Sequence, residues 1–519
     1  MTPGKGVIPI YWSAFIVFLI LFAMVTVLGF SASRWHRGDL DLIEEWGLAG
    51  RRFGTFVTWF LLGGDLYTAY TFIAVPALVY GAGAFAFFAV PYTIVVFPIM
   101  YIVMPRLWRV SKQRNYVTAA DFVRGRFNSP LLALAVAITG ILATMPYIAL
   151  QLTGIQAVLA AMGLSGHGFL KDLPLVIAFL ILAAYTYTSG LRAPALTAIL
   201  KDILIYVTVI VACIAIPIHL GGYGHIFQVA AAKLPATKGS VILAPKLFTA
   251  FSTLALGSAF ALLLYPHAVT GTLGAKSGKT IQRNAALLPL YSLALTFIAI
   301  LGYMAIAAGI HTKDTSLVVP LLFLKTLPTW FAGFAFGAIA IGALVPAAIM
   351  AIAAANLFTR NIYREYFASD NGPNREAQIA KIVGLIVILG ALFFIVAIPL
   401  QYSIYFQTLG GIWILQTVPT IIFGLYTRWF HRWALFLGWL VGMIIGTGMA
   451  AAESFKTSIY PLHIGHSVYL AYAGVWAIIV NIVIVVVLSI LFNALNISNG
   501  TDDTQDQDYV SEPGEAVGQ

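Results

Sequence analysis

Four ionisable side chains stand out because each falls inside sequence that is otherwise apolar enough to cross a bilayer. Asp65 interrupts the apolar run at residues 54–82, directly after Gly63 and Gly64. A carboxylate near the middle of a membrane costs about 2.5–3.5 kcal/mol on insertion scales, so its presence there points to an ion or substrate path. Lys201 and Asp202 lie together in the apolar run at 194–220, and His267 follows Pro266 in the run at 247–273. A glycine pair weakens a helix and a proline removes one of its hydrogen bonds. Both acid- and base-bearing runs therefore contain a place where the helix can open and free backbone groups for a ligand.

The elements that must position these groups are membrane helices. The 519 residues are 61% hydrophobic and 9% charged, with a mean hydropathy of +0.92. So few charges exclude an ordinary water-soluble globule. The apolar runs are continuous rather than alternating, which favours helices over a closed β-barrel. The net charge of +10 does not mark a nucleic-acid binder, because the basic residues are spread over short connections between spans. Cys213 is the one cysteine, which excludes a disulfide within the chain and a cysteine metal cluster.

Runs of roughly 17 to 25 residues predict thirteen spans, at residues 10–32, 54–79, 85–105, 130–162, 173–189, 194–220, 247–273, 286–310, 328–357, 378–399, 404–427, 431–451 and 467–494. The first run is read as a retained span rather than a cleaved leader. Most of the 29 lysines and arginines fall in every second connection, which places the N-terminus outside and the C-terminus in the cytoplasm. The stretch 106–127 is expected to lie along the membrane surface, and HIFQVAAAKL within 221–245 to form a short surface helix. The tail from Asn496 is acidic and polar and is expected to be disordered. The break at Gly63-Gly64-Asp65 and that at Tyr265-Pro266-His267 lie five spans apart, an odd offset that gives their units opposite topology, as in inverted repeats.

Several stretches in order resemble the sodium/solute symporter family: DLDLIEEWGLAGRRFG (39–54), PRLWRV followed by TAADFVRGRF (118–127), TYTSGLRA (186–193), GTLGAKSGKTIQRNA (271–285) and ANLFTRNIYREY (355–366). GALVPAAIMAIAAANLFTRNIYREY (342–366) and LYPH (264–267) are most similar to the branch of bacterial monocarboxylate permeases. The resemblance implies an all-α polytopic fold of two inverted five-helix repeats with two broken helices. It divides the chain into a first helix and loop (1–53), a first repeat (54–220), an extracytoplasmic loop (221–245), a second repeat (246–427), two further helices (428–495) and the tail (496–519).

The family's sodium site uses carbonyls at the first break and two hydroxyls in the ninth span. Carried over, the carbonyls are those of Gly63 and Leu66 beside Asp65, and the hydroxyl positions hold Val345 and Pro346, which have none. A hard cation needs several oxygens, so sodium is the weaker alternative and a proton the expected coupling ion. The family commonly has threonine-aspartate where this chain has Thr197-Ala198; Lys201 lies on the same helical face as both. Asp65 lies roughly 20 Å and Lys201 roughly 14 Å in from the cytoplasmic side at 1.5 Å per residue, which lets the two meet. Lys201 then either replaces the sodium charge beside Asp65 and takes part in coupling, or makes a fixed ion pair, with Asp202 among its partners.

For a substrate carboxylate the expected contacts are the freed backbone at Gly63 and Gly64, the hydroxyls of Tyr67 and Thr68, and His267. Tyr147, Gln151, Gln416 and Thr417 are core-facing polar groups that either touch substrate or join helices. The reading is a symporter importing pyruvate, lactate, propionate or a similar short acid across a bacterial inner membrane, with no enzyme activity, cofactor, resident metal or nucleic-acid partner. A sodium-driven amino-acid or vitamin permease and a membrane sensor of the same fold are the alternatives. A second copy or a small membrane subunit is left open, and the Gly438, Gly442, Gly446 row is one surface for it. HIGH at 463–466 has no α/β unit around it, the nine histidines form no zinc-like cluster, and no nucleotide-binding loop is present.

Overall fold

The computed structural model describes residues 10–35, 38–164, 173–237, 239–367, 372–397 and 409–510. Eleven helices among them are long and apolar enough to cross a membrane, and the bent pair Thr55–Leu66 with Thr71–Ala82 makes a twelfth. Leu173–Ser189, of 17 residues, occupies the position of the expected fifth span. The helices are α1 (Trp12–Ser31), α2 (Ile43–Leu48), α3 (Thr55–Leu66), α4 (Ala69–Ala82), α5 (Ala89–Gln113), α6 (Ala119–Phe127) and α7 (Pro130–Ala161). They continue with α8 (Leu173–Ser189), α9 (Arg192–His219), α10 (Tyr223–Lys233), α11 (Phe248–Leu264), α12 (Pro266–Leu273), α13 (Gly278–Ala307) and α14 (Val318–Thr326). The last five are α15 (Thr329–Phe358), α16 (Pro373–Ala397), α17 (Leu409–Tyr426), α18 (Arg432–Ala452) and α19 (Ala473–Ala494).

The molecule is organised around α15, whose most apolar window is wholly buried. Lipid tails are as apolar as leucine, so membrane helices associate where small residues let backbones approach. In α15, Gly333 meets the backbone of Ala14 on α1 and Gly337 meets Leu21; a Cβ would stand 2.3 and 2.7 Å from them. Around this axis pack α1, α7, α9 and α16, and α3 and α4 also reach it. A second layer joins α5 to α13 and α4 to α13.

One joint sets the two broken helices against each other. Ala49, Gly50 and Arg51 all take left-handed conformations, which turns the chain sharply from α2 into α3. Phe53 N–H then donates to Gly274 O at 3.1 Å and Lys276 N–H donates to Phe53 O at 2.9 Å. This parallel bridge ties the start of α3 to the end of α12. Trp108 from α5 donates its indole N–H to Ala275 O at 2.8 Å, and Arg51 bonds Glu44 at 2.8 Å. Arg192, at the start of α9, pairs with Glu45. Asp65, Lys201 and His267 are thus measured inward from a shared, fixed end.

Four expectations about the periphery change or sharpen. The first third of the stretch 106–127 continues α5 as far as Gln113, and α6 begins at the Thr118 capping box. HIFQVAAAKL does form a short helix, α10. HIGH closes the hairpin of β1 (Ile459–Ile464) and β2 (Ser467–Tyr472), with His463 opposite Val468. The Gly438, Gly442, Gly446 row is consumed within the chain, since a Cβ there would meet Val485, Gln416 or Ile412.

The tail as far as Val510 is not disordered; its acids find arginines. Asp502 pairs with Arg126 and, at 3.1 Å, with Arg428; Asp508 pairs with Arg114 at 2.7 Å. Tyr509 is buried, with the Arg106 guanidinium 4.8 Å from its ring. Low hydropathy alone predicted disorder, but these charge pairs lie across α5, α6 and the α17–α18 connection and give the segment a docking surface. Residues 511–519 lie outside the described residues.

Candidate functional site

The first break lies three residues beyond the glycine pair. Gly63, Gly64 and Asp65 remain in α3, and the chain leaves helical geometry at Tyr67 (φ −95°, ψ 85°) and Thr68 (φ −100°, ψ 167°). Thr68 then caps α4 through a capping box, accepting Thr71 N–H at 3.1 Å. The Tyr67 hydroxyl donates to Tyr291 O on α13 at 2.6 Å. Both hydroxyls expected to face substrate are therefore committed to holding the break. The glycines serve close approach instead: a Cβ on Gly63 would stand 2.5 Å from the Tyr291 ring, and one on Gly64 3.0 Å from Lys201 Nζ.

Opening the helix at Tyr67 frees carbonyls, and Lys201 takes them. Its Nζ donates to Gly64 O and, at 2.9 Å, to Tyr67 O. Its ion-pair partner is Asp202 Oδ1, 3.0 Å away, with both side chains fully buried. Of the ammonium's three N–H donors, two are taken by the Gly64 and Tyr67 carbonyls. The carbonyls expected to hold a cation were those of Gly63 and Leu66. Instead Gly63 O accepts Tyr67 N–H at 3.2 Å, and Leu66 O accepts the Thr71 hydroxyl at 2.9 Å. The register of the cage is one residue later than expected, because the break itself is later.

Asp65 does not form the ion pair with Lys201; Asp202 does. Asp65 Oδ2 lies 3.6 Å from His267 Nε2, and both residues are buried. His267 is the second residue of α12, whose start is set by Tyr265 (φ −57°, ψ 138°) and by Pro266 at the first helical turn. The imidazole is flanked by Tyr147 and Tyr265, with ring centroids 5.6 and 5.2 Å away. Asp65 Oδ1 and both ring nitrogens of His267 have no hydrogen-bond partner. These atoms are open to a proton, a water or a ligand.

Two cavities flank α12. One is small and is bordered by Pro266, Val269 and Thr270 on α12, Thr118 and Ala119 at the start of α6, and Thr417 on α17. The other, also small, is bordered by Asp65, Ala268 and Thr272, with Phe97 and Met100 of α5 opposite.

The remaining candidates separate cleanly. Gln151 is fully buried on α7, and neither amide atom has a partner; it lies one turn from Tyr147 on the same face. Thr197 donates its hydroxyl to Ala193 O within its own helix at 2.8 Å. Gln416 is structural: it donates to Gly474 O at 3.3 Å and meets Asn481 Nδ2 at 3.3 Å, joining α17 to α19. Val345 and Pro346 are buried in α15, one turn from Gly342, where a Cβ would stand 3.6 Å from Ala69 N at the break. They bring no hydroxyl to it. Tyr291 was missed altogether. It packs on Tyr67, Trp59 and Tyr206 at 4.3, 5.1 and 5.2 Å between centroids, and nothing in its local sequence distinguishes it from other span tyrosines.

A family model described as the sodium:solute symporter family matches residues 46–446. A "Monocarboxylate transport permease protein" of Rhizobium johnstonii is 52% identical over 487 residues, covering 93% of this chain and 97% of that protein. An uncharacterised symporter of Bacillus subtilis, YodF, is 34% identical over 92% of this chain and 94% of its own. Among solved structures, a Na⁺-coupled sialic acid symporter superposes with a TM-score of 0.74 at 17% identity, over 92% of this chain and 98% of that one; this likeness bears on the fold alone. With two broken helices joined at one end and a charged cluster between them, the chain belongs to the sodium:solute symporter family.

Proposed function

We propose that this symporter imports short-chain monocarboxylates such as pyruvate, lactate or propionate, each with a proton. The substrate class is taken from the 52%-identical relative, whose name gives it monocarboxylate transport. The single observation that carries proton rather than sodium coupling is the Lys201 ammonium, bonded to the two carbonyls freed by the first break and to Asp202. A resident positive charge there does the electrostatic work that a bound cation would do, and Val345 and Pro346 add no oxygen to attract one. In this reading the N-terminus is outside and the C-terminus cytoplasmic in a bacterial inner membrane.

The carboxylate of the substrate is assigned to the N-terminal turn of α4, whose dipole and first N–H groups favour an anion. Gln151, with an amide free on both atoms, supplies a donor across from it on α7, and Tyr147 closes the apolar side. The test is uptake of labelled pyruvate into proteoliposomes under an imposed pH gradient or an imposed sodium gradient. Accumulation with the pH gradient alone is the expected result. Accumulation only with sodium would overturn proton coupling, and no uptake of any short acid under either gradient would overturn the substrate class.

A further inference from the structure

We infer that the transported proton resides on the Asp65–His267 pair, while Lys201 is a fixed cation that Asp202 holds in position. This rests on the proton-coupled reading above and assigns its roles. Three features of the geometry carry it.

The first is hydrogen-bond satisfaction. Lys201 donates to Gly64 O and Tyr67 O and forms an ion pair with Asp202 Oδ1. Deprotonating it would leave a nitrogen lone pair facing a carbonyl, and Asp202 charged with no partner in a buried site. Asp65 Oδ1 and the two imidazole nitrogens of His267 have no such commitments. A neutral imidazole has one donor and one acceptor nitrogen, so the pair can take up a proton at the carboxylate or at Nε2 without breaking a bond already made.

The second is charge. Lys201 and Asp202 cancel, which leaves Asp65 as one uncompensated negative charge when His267 is neutral. One proton makes the cluster neutral. The groups that face it are Lys201 and Asp202 from α9, Tyr67 from α3, Tyr291 from α13, Tyr147 from α7 and Tyr265 at the second break. From α5 the neighbours are apolar, Val96, Phe97 and Met100 among them. No further cation among these groups competes to neutralise Asp65. The third is position, since α12, the helix of His267, borders both cavities through its other residues and Asp65 borders one of them. In each cycle one O–H or N–H bond forms on the pair as a carboxylate anion enters, so the cargo is neutral overall, and that bond breaks again on the other side.

The experiment separates coupling from binding and from folding. Wild type, Asp65→Asn and His267→Gln are reconstituted and checked by melting temperature. Each is then assayed for pH-gradient-driven accumulation with an internal pH dye, and for exchange of labelled against unlabelled pyruvate at equal pH. Exchange needs no net proton movement. The expected result for Asp65→Asn is loss of accumulation and of the dye signal, with measurable exchange retained; for His267→Gln it is a displaced pH profile of uptake. Accumulation that persists in Asp65→Asn overturns the assignment. So does loss of both activities in a variant that melts like wild type. Wild type that fails to accumulate with a pH gradient sinks the proton-coupled reading instead, a separately readable outcome.

Discussion

Replacing Lys201 by methionine keeps most of the side-chain volume and removes the ammonium. Asp202 is then a fully buried carboxylate with its cation gone, and Gly64 O and Tyr67 O lose a charged donor. Breaking a buried pair by removing one partner costs about 3–5 kcal/mol. The hydrogen bonds to the carbonyls are part of that same loss, so we take about 3–5 kcal/mol as the whole effect. The double variant Lys201→Met/Asp202→Leu removes both charges and should recover much of it, because an apolar replacement of both partners is often neutral or better. A third variant, Lys201→Ala, shortens the side chain and leaves two carbonyls and a carboxylate around its former position. Sodium should stabilise that variant saturably, by about 2.7 kcal/mol at a hundredfold excess over its dissociation constant, and leave wild type unmoved. The assay is thermal unfolding of detergent-purified protein in sodium against choline. A Lys201→Met variant as stable as wild type would refute the idea that the ammonium holds the break, and a double variant no better than the single would remove Asp202 from the argument.

Three further outcomes follow from the packing. Gly63→Ala places a methyl 2.5 Å from a Tyr291 ring carbon; this overpacking should cost about 1–3 kcal/mol and lower uptake, while Leu62→Ala beside it should not disturb Tyr67. Gln416→Leu should cost about 0.6 kcal/mol, the average for interhelical hydrogen bonds in membranes, and leave the KM for pyruvate unchanged; a raised KM would return Gln416 to the substrate site. In the tail, Asp502→Asn should loosen the α17–α18 connection, read by hydrogen exchange, because its partner Arg126 is 5% exposed. Asp506→Asn should not, since Asp506 is 90% exposed and such surface pairs contribute about 0–1 kcal/mol.

What the sequence makes legible is whatever the bilayer enforces. Continuous apolar runs report the spans, because a backbone in hydrocarbon must satisfy itself within a helix, and the thirteen runs correspond to helices. Asp65, Lys201 and His267 are visible for the same reason, as charges where charge is costly. Which of them touch is not visible. Helical periodicity put Lys201 on the face of Thr197, and depth allowed a meeting with Asp65, but depth is as well met by the neighbouring Asp202. Distance along an axis does not resolve the rotation of α3 against α9. The tail misleads in the opposite sense: its composition is that of a solvated segment, and only its proximity to Arg106, Arg114, Arg126 and Arg428 makes it ordered.

The displaced break explains why the cation site reads wrongly from sequence. Glycine invites unwinding, yet Gly63 and Gly64 are spent on closeness, one against the Tyr291 ring and the other against Lys201. Once those contacts are made, the helix must continue through Asp65 and open at Tyr67, where the Tyr67 hydroxyl and the Thr68 cap can hold the extended residues. The carbonyls then released belong to Gly64 and Tyr67, and a lysine on α9 is long enough to reach both. In the proton-coupled reading proposed above, the ammonium bonded to these carbonyls keeps its charge through the cycle, and the proton goes to Asp65, the acid of the cluster with no cation bonded to it.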